Sequence, residues 1–595
     1  MRAMSMIVRR FAGLVLAVAL VAFMEAPAGG TPDYSLEGAG WGHGVGLSQY
    51  GSKAMAADSA TYDEILNRYF PGSLVVPFDN VAAGTFLTAE TTPLWVGLLQ
   101  GVGTVSFSVS GGSAQLCFDA PELCPIKADP GESWRFGQQG DGTCAFMRSP
   151  EGGNPYVIGP KGSCEASIRP ETVQTDLVLP YKARSYRRGV LRIRTAPESG
   201  GIHVVHEVSI EDFMRGLSEV PESWPMAAIE AQVVTSRSKA LWHALQRGGG
   251  QFLELTRQEE CYCNLRDDAT DQVYRGYTGE AGHPRWASAV ISTARQVISD
   301  RGQIALGMYS SSSGGWTDSY IEVFNAPDHP HLVSVYDGPA FSDLANNPHK
   351  TWTAGFPQEL FAEAFGFSWV HNAEVVARNQ SGSARTVRLS GIRNGRSVQR
   401  EVAGVEFRTI FSLRSTTFDI VVNPRFSDVA LGSLFAGEIL GLSELGVTLG
   451  CGMGRYCPED PVTRAEMAAF LVRSLGLELD ARSDIFHDDD NNVFEVQIET
   501  IHSHGITVGC AAQMFCPDQF VSRGEMAAFL SRAFSLDRVS GDSYDDDDGS
   551  IFESDIEAIR SAGITTGCAE SRYCPTGLVT RAQMAAFLIR AQDLS

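Results

Sequence analysis

Three consecutive segments in the last third of the chain repeat one pattern, and this repetition constrains the fold more than any other feature. "FSDVALGSLFAGEILGLSELGVTLGCGMGRYCPEDPVTRAEMAAFLVRSLGL" is followed by "FHDDDNNVFEVQIETIHSHGITVGCAAQMFCPDQFVSRGEMAAFLSRAFSL" and by "YDDDDGSIFESDIEAIRSAGITTGCAESRYCPTGLVTRAQMAAFLIRAQDL". Cys451, Cys510 and Cys568 mark the same place in each, at a period close to sixty residues. Each unit reads helix, loop, helix: Phe435, Ile439 and Leu442 fall at helical spacing, and Thr463 stands three residues before Glu466 in the capping-box pattern. A unit of about 60 residues buries too little apolar surface to stand alone, so the "EMAAFL" helices are expected to pack across repeats into one all-α-helical unit.

The rest of the composition narrows the setting. A chain of 595 residues implies about three to five folded units. Arg2, Arg9 and Arg10 precede an apolar run from Phe11 to Phe23, and small residues follow at Ala26 to Ala28. Residues 1–28 therefore read as a secretory signal peptide, and the apolar run is shorter than the ~20 residues a membrane helix needs. From Arg425 onward there are 27 Asp and Glu against 12 Arg and no Lys, a net −15 out of the whole chain's −23. Such a surface repels nucleic acid and anionic membranes and favours partners that are uncharged or bridged by cations.

Twelve cysteines in an exported chain favour disulfides. In each repeat two cysteines, as Cys451 and Cys457, close a short loop; zinc is the rival, but only the second repeat offers nearby histidines, His487, His502 and His504. Cys117 with Cys124 and Cys144 with Cys164 suit loop closure, whereas Cys261 and Cys263 are too close for an easy mutual bridge and, with His283, form a weaker zinc alternative. The runs Asp488 to Asp490 and Asp545 to Asp548 lack the alternation of a calcium loop and read as solvated.

The repeats resemble S-layer homology modules, which hold exported bacterial proteins to cell-wall polysaccharide. The "TRAE" signature falls on Thr463 to Glu466, with "SRGE" from Ser522 and "TRAQ" from Thr580. The resemblance implies wall-polymer contacts by Arg464, Arg523 and Arg581; read from the residues alone, the same arginines brace helix ends. Where that family carries an aromatic pair such as His-Trp, this chain has Leu434-Phe435, Val493-Phe494 and Ile551-Phe552.

Residues 38–420 read as an α+β domain with a β-rich insert at about 90–195. "GLSQYGSKAMAADSATYDEILNRYFPG" gives two helices, the second capped by Thr61. "LWVGLLQ", "TVSFSVSG", "RGVLRIRT" and "GIHVVHEVS" are strands by pattern, and "PMAAIEAQVVTSRSKALWHAL" is a helix with Ser223 as its candidate cap and Pro225 in its first turn. Before it, Glu219 sits in a loop stiffened by Pro221 and Pro225. Beside Val220 and Trp224 its carboxyl is partly desolvated, which raises its pKa toward that of a general acid. Glu211, Glu222 and Glu230 compete for that role.

Four segments, "GWGHGVGLSQYG", "IEDFMRGLSEVPESWPMAAIEAQVVTSRSKAL", "YSSSSGGWTDS" and "FRTIFSLRSTTFDI", resemble the stage II sporulation protein D family, also called the amidase-enhancer family. The family's catalytic glutamate falls on Glu219, and its "AQ" pair on Ala231-Gln232. Two features depart from its pattern: the histidine-glycine motif precedes the glutamate segment, and the helix reads "SRSKAL" where Arg-Thr-Tyr-Ala is usual. The resemblance implies a lytic transglycosylase that cuts peptide-free peptidoglycan strands with one carboxyl, or an enhancer of a cell-wall amidase that does no chemistry itself. Closely spaced glycines around His43, Ser48 and Gln49, and Ser311, Ser312, Ser313 and Trp316 with Gln232, suit contact with a neutral, hydroxyl-rich sugar strand. No serine-hydrolase elbow surrounds Ser311 to Ser313.

The expected molecule is thus an α+β catalytic or binding domain followed by all-α-helical repeats at 426–477, 486–537 and 544–594. It is secreted and cell wall associated, with peptidoglycan glycan strands, cell-wall polysaccharide and a cell-wall amidase as partners. No nucleic acid, no cofactor and no metal are assigned.

Overall fold

The computed structural model describes residues 34–592, apart from 82–92, 120–121, 196–200, 248–260, 327–328, 394–395, 423–424, 431–432, 453, 480–483, 538, 540 and 542. The signal-peptide expectation for residues 1–28 lies outside the described residues. Among those described, no helix is long and apolar enough to cross a membrane.

The strand Tyr34–Gly38 lies between Trp352–Phe356 and Phe418–Val422, antiparallel to both, so the chain near residue 38 meets the chain near residue 420 in one sheet. Tyr34 stacks on Phe361 over a core that also holds Phe365, Phe407 and Phe411. The β-rich insert alternates buried and exposed residues, as Thr104–Ser110 shows, which is the pleat of half-buried sheet. Its strands form a six-stranded sheet and most of a seven-stranded one. The seven-stranded sheet also takes in Ile202–Val208 and Leu265–Arg266, so the insert shares its core with the helices Ile210–Arg215 and Met226–Gln246 that flank Glu219.

Local signals largely decide the helices of this region. Ser48 caps Gln49–Ala57, and Thr61 with Glu64 forms a full capping box on Tyr62–Tyr69. One expectation shifts: Pro225 itself is the cap residue of Met226–Gln246, with no side-chain cap bond, so Ser223 is not the cap. Cys117–Cys124 and Cys144–Cys164 are bonded, as are the three pairs of the repeats. Cys261 and Cys263 are bonded too, against expectation. Tyr262 between them has φ +49°, and this left-handed turn brings their Cα atoms to 5.1 Å, within disulfide range. That bond consumes the thiols of the zinc alternative, and His283 Nδ1 instead faces Gly279 O at 2.8 Å.

The three repeats close into a ring. Val462 N donates to Val579 O, Val579 N to Val521 O and Val521 N to Val462 O, at 2.9–3.0 Å, so each repeat passes one hydrogen bond to the next and the last returns to the first. Met467, Met526 and Met584, with Phe470, Phe529 and Phe587, share one core. Capping boxes at Thr463 with Glu466 and Ser522 with Glu525 start the inner helices Arg464–Leu475 and Arg523–Ala533. Asp428, Asp488 and Asp546 each accept two backbone N–H groups from the cysteine loop, which fixes that loop to the start of its own repeat.

Arg464, Arg523 and Arg581 are buried between repeats. Their Nε atoms donate to Phe515 O, Tyr573 O and Tyr456 O, and each guanidinium lies over two aromatic rings. Arg464 also pairs with Glu525 at 2.7 Å and Arg581 with Glu466 at 3.1 Å. These side chains brace the ring from inside, in the manner of the residue-level alternative, rather than standing at its surface. The Asp runs differ from expectation as well: Asp489 and Asp547 are buried, not solvated.

Candidate functional site around Glu219

Glu219 lies in the turn between Ile210–Arg215 and Met226–Gln246, and the competing glutamates are engaged elsewhere. Glu211 binds the buried Arg237 at 2.9 Å and Arg295 N at 3.0 Å. Glu222 accepts from Arg285 N and Trp286 N, capping the helix Pro284–Ser292, and Glu230 accepts from Ser292 Oγ. Glu219 is half-buried as a residue, and burial raises the pKa of its carboxyl against the opposing pull of the Tyr309 hydroxyl, Lys239 and Arg275.

The Met226–Gln246 helix supplies one wall. Gln232, Ser236 and Lys239 lie four and three residues apart and so share a face. Gln49 Nε2 reaches Gln232 Oε1 at 3.3 Å and Glu219 O at 3.2 Å, while Gln232 Nε2 donates to Ser236 Oγ at 3.1 Å. Lys239 Nζ stands 5.0 Å over the Tyr309 ring, with its pKa lowered by burial and held up by Glu219 and Asp271. The Tyr309 hydroxyl donates to Glu219 and accepts from Gln272 Nε2 at 3.3 Å.

The glycine-rich stretch explains how Tyr309 is placed. Residues 41–48 interleave with 309–318: Trp41 bridges Ser312, Val45 bridges Asp318, and Leu47-Ser48 runs parallel to Tyr309-Ser310. A Cβ on Gly42 (φ +119°) would meet Ser310 Cβ at 2.6 Å, and one on Gly46 (φ +78°) would meet Met308 O at 2.2 Å. Glycine is needed there for close backbone packing rather than for an open surface. His43 is part of this clamp. Its Nδ1 accepts from Val45 N at 3.0 Å, it bonds the Tyr309 backbone, and burial together with Lys239 and Arg408 pushes its pKa down to about 3.

Several expected sugar contacts are therefore placed inside. Ser48, Ser312, Ser313 and Gln232 are buried. Ser313 Oγ donates to Asp337 Oδ2 at 2.6 Å, Ser48 bonds the same carboxyl, and Ser312 Oγ accepts from Asn347 Nδ2 at 3.0 Å. Ser311 gives its carbonyl to Tyr50 N. Trp316 is the exception, 44% exposed and 5.2 Å from Tyr336.

A row of rings absent from the sequence reading leads toward Glu219. Trp41, 47% exposed, meets His349 at 4.5 Å; His349 meets Tyr50 at 5.6 Å; Tyr50 meets Trp224 at 5.1 Å. Lys53 Nζ stands 5.5 Å over both Tyr50 and Trp224. Helical spacing from Gln232 could have flagged Lys239. Tyr309 and the ring row come from segments far apart in sequence, so no local pattern announces them.

Residues 198–299 match the family model described as "Stage II sporulation protein". An uncharacterized protein of Brachyspira hyodysenteriae is 26% identical over 228 residues, 37% of this chain and 54% of that protein. The amidase enhancer of Bacillus subtilis is 44% identical over 48 residues, 8% of this chain and 7% of that one. The S-layer protein EA1 of Bacillus anthracis is 26% identical over 168 residues, 27% and 19% of the two chains. The chain thus spans about half or less of the length of these relatives.

Proposed function

We propose that this chain, whose residues 198–299 match the stage II sporulation protein model and which shares a 48-residue stretch with an amidase enhancer, is a cell-wall-associated lytic transglycosylase acting on peptide-poor peptidoglycan strands. The observation that carries this reading is a single carboxyl, Glu219, buried with a raised pKa between Tyr309 and Lys239, while Glu211, Glu222 and Glu230 serve as structural acceptors. Hydrolysis by two carboxylates needs a second acid at a set separation; an intramolecular transfer needs one.

In the proposed step, protonated Glu219 gives its proton to the glycosidic oxygen as the C1–O bond breaks. The resulting carboxylate takes the proton of the same sugar's 6-hydroxyl as that oxygen bonds to C1, which closes a 1,6-anhydro ring and returns Glu219 to its acid form without consuming water. Tyr309 and Lys239 stabilise the transient carboxylate. Trp41 and Trp316, both exposed, offer faces on which pyranose rings stack, and the buried serines, Gln49, Gln232 and His43 hold the loops that present them. The terminal ring would anchor the molecule to wall polysaccharide, a reading supported by the likeness to proteins named S-layer protein and cell surface protein.

The test is to incubate the protein and its Glu219→Gln variant with peptide-free glycan strands and assay anhydro-muramic ends. Anhydro products from the wild type alone support the reading, and equal products from both overturn it. The likeness to an amidase enhancer favours a second reading, in which the chain stimulates a wall amidase. Stimulation retained by Glu219→Gln, with no cleavage by the wild type, would establish that instead.

A further inference from the structure

Repeats two and three bury carboxylates where repeat one buries aliphatic side chains. Aligned on the aspartate that holds the cysteine loop, Asp489 and Asp547 take the place of Val429; aligned on the first helix, Glu499 and Glu557 take the place of Leu440. Val429 and Leu440 belong to the apolar core, as their positions dictate. Asp489 and Glu499 are only 1% and 2% exposed, and Asp547 and Glu557 only 2% and 4%.

Part of this charge is satisfied. Glu499 Oε1 accepts from Ile485 N and Phe486 N at 2.9 and 3.0 Å, and Glu557 accepts from Ser543 N and Oγ at 2.7 and 2.9 Å. Asp489 Oδ2, Glu499 Oε2 and Asp547 Oδ2 are fully buried with no hydrogen-bond partner among the described residues. Among the described residues, the charged neighbours that act most strongly on Asp489 are acidic: Glu499, Glu495 and Asp488. Asp547 likewise faces Glu557, Glu553 and Asp546. Burial first and these neighbours second push both aspartates up to about 6, so at neutral pH each still carries most of a negative charge. Two buried, mutually repelling carboxylates, with no cationic side chain acting on the aspartate among the main influences from the described residues, are strongly unfavourable unless something binds between them.

We propose that Asp489 with Glu499, and Asp547 with Glu557, each hold one hard divalent cation of the calcium class, and that repeat one, with Val429 and Leu440, holds none. An all-oxygen donor pair selects calcium over softer metals, with loop oxygens and water completing the shell. Each ion ties its acidic loop to the first helix of the repeat and neutralises charge in a segment of net −15. The proposal does not depend on the catalytic reading of Glu219.

The whole protein, disulfides intact, is dialysed against EDTA at pH 7.5 and titrated calorimetrically with CaCl2. Two equivalents are expected, with dissociation constants at or below about 1 mM, the range of extracellular calcium modules. Asp489→Val with Glu499→Leu, and Asp547→Val with Glu557→Leu, copy the pair that repeat one already accommodates, and each is expected to remove one equivalent. No uptake by the wild type overturns the proposal, as does uptake unchanged in both variants. A wild type whose melting ignores calcium, beside variants more heat-stable than it in EDTA, shows that each pair merely shares a proton and also overturns it. Should a variant fail to fold, amide exchange across residues 485–499 of the wild type decides, since no slowing on adding CaCl2 counts against the site.

Discussion

The Glu219 pocket and the repeat ring both bury charge, and they treat it in opposite ways. Around Glu219 burial raises the carboxyl's pKa even against the pull of Tyr309, Lys239 and Arg275, and so favours its neutral form. In the ring two of the three equivalent arginines meet a carboxylate from the next repeat, and their charge is spent on holding repeats together. Reactivity follows from partners withheld and rigidity from partners supplied. The ring contains its own exception. Glu525 serves Arg464 and Glu466 serves Arg581, but the corresponding position in repeat three is Gln583, and Arg523 Nη2 is buried without a partner among the described residues.

The sharpest break in this contrast is Glu219→Gln, which keeps the shape of the side chain and removes its proton. Glycan cleavage is expected to fall by about 10²–10⁴-fold, the range for loss of a general acid, with the melting temperature nearly unchanged. A matching loss of stability would place Glu219 with the structural glutamates.

Next in size are the ring arginines. Arg464→Ala or Arg581→Ala leaves an acceptor carbonyl and a part-buried carboxylate unpaired, and each is expected to cost about 2–4 kcal/mol by denaturant melting of the whole protein. Arg523→Ala, which breaks no ion pair, should cost less than either. Equal costs for all three would show that the ion pairs contribute nothing beyond packing.

Tyr309→Phe is a finer probe of the pocket. The phenol bond lowers the Glu219 pKa, so its removal raises that pKa further. Because the acid form starts the reaction, the alkaline limb of the pH–rate profile should move to higher pH, while turnover falls roughly tenfold through a less stabilised carboxylate. A lower rate with an unmoved limb would reduce Tyr309 to a packing role. The smallest effect is expected from Gln583→Glu, which gives Arg523 the missing carboxylate and should stabilise the ring by about 1 kcal/mol in thermal melts.

Much of this was readable from residues a few positions apart. The capping boxes at Thr61 and Thr463, the alternating strands and the Glu219 turn rest on local chemistry, and the structure keeps them. Expectations about surface and interior fared differently. Ser312, Ser313 and His43 read as polar groups for a ligand, yet they face inward because the glycines of residues 40–46 bring a second backbone against them. Cys261 and Cys263 looked too close to bond until Tyr262 took a left-handed turn. The solvated reading of the Asp runs missed Asp489 and Asp547, because one aspartate in each run takes the core position that Val429 fills in repeat one.

By itself, then, the sequence determined the periodicity, the helix starts, the strand alternation and the proline-stiffened turn that carries Glu219, all of which depend on neighbours within a turn or a pleat. Only the tertiary structure decided that the repeats close into a ring through Val462, Val521 and Val579, that Tyr309 and Lys239 flank Glu219, and that Trp41, His349, Tyr50 and Trp224 form a row. Those outcomes depend on which distant segment excludes water from a side chain. Burial sets the pKa of Glu219, and burial is a property of the packed chain.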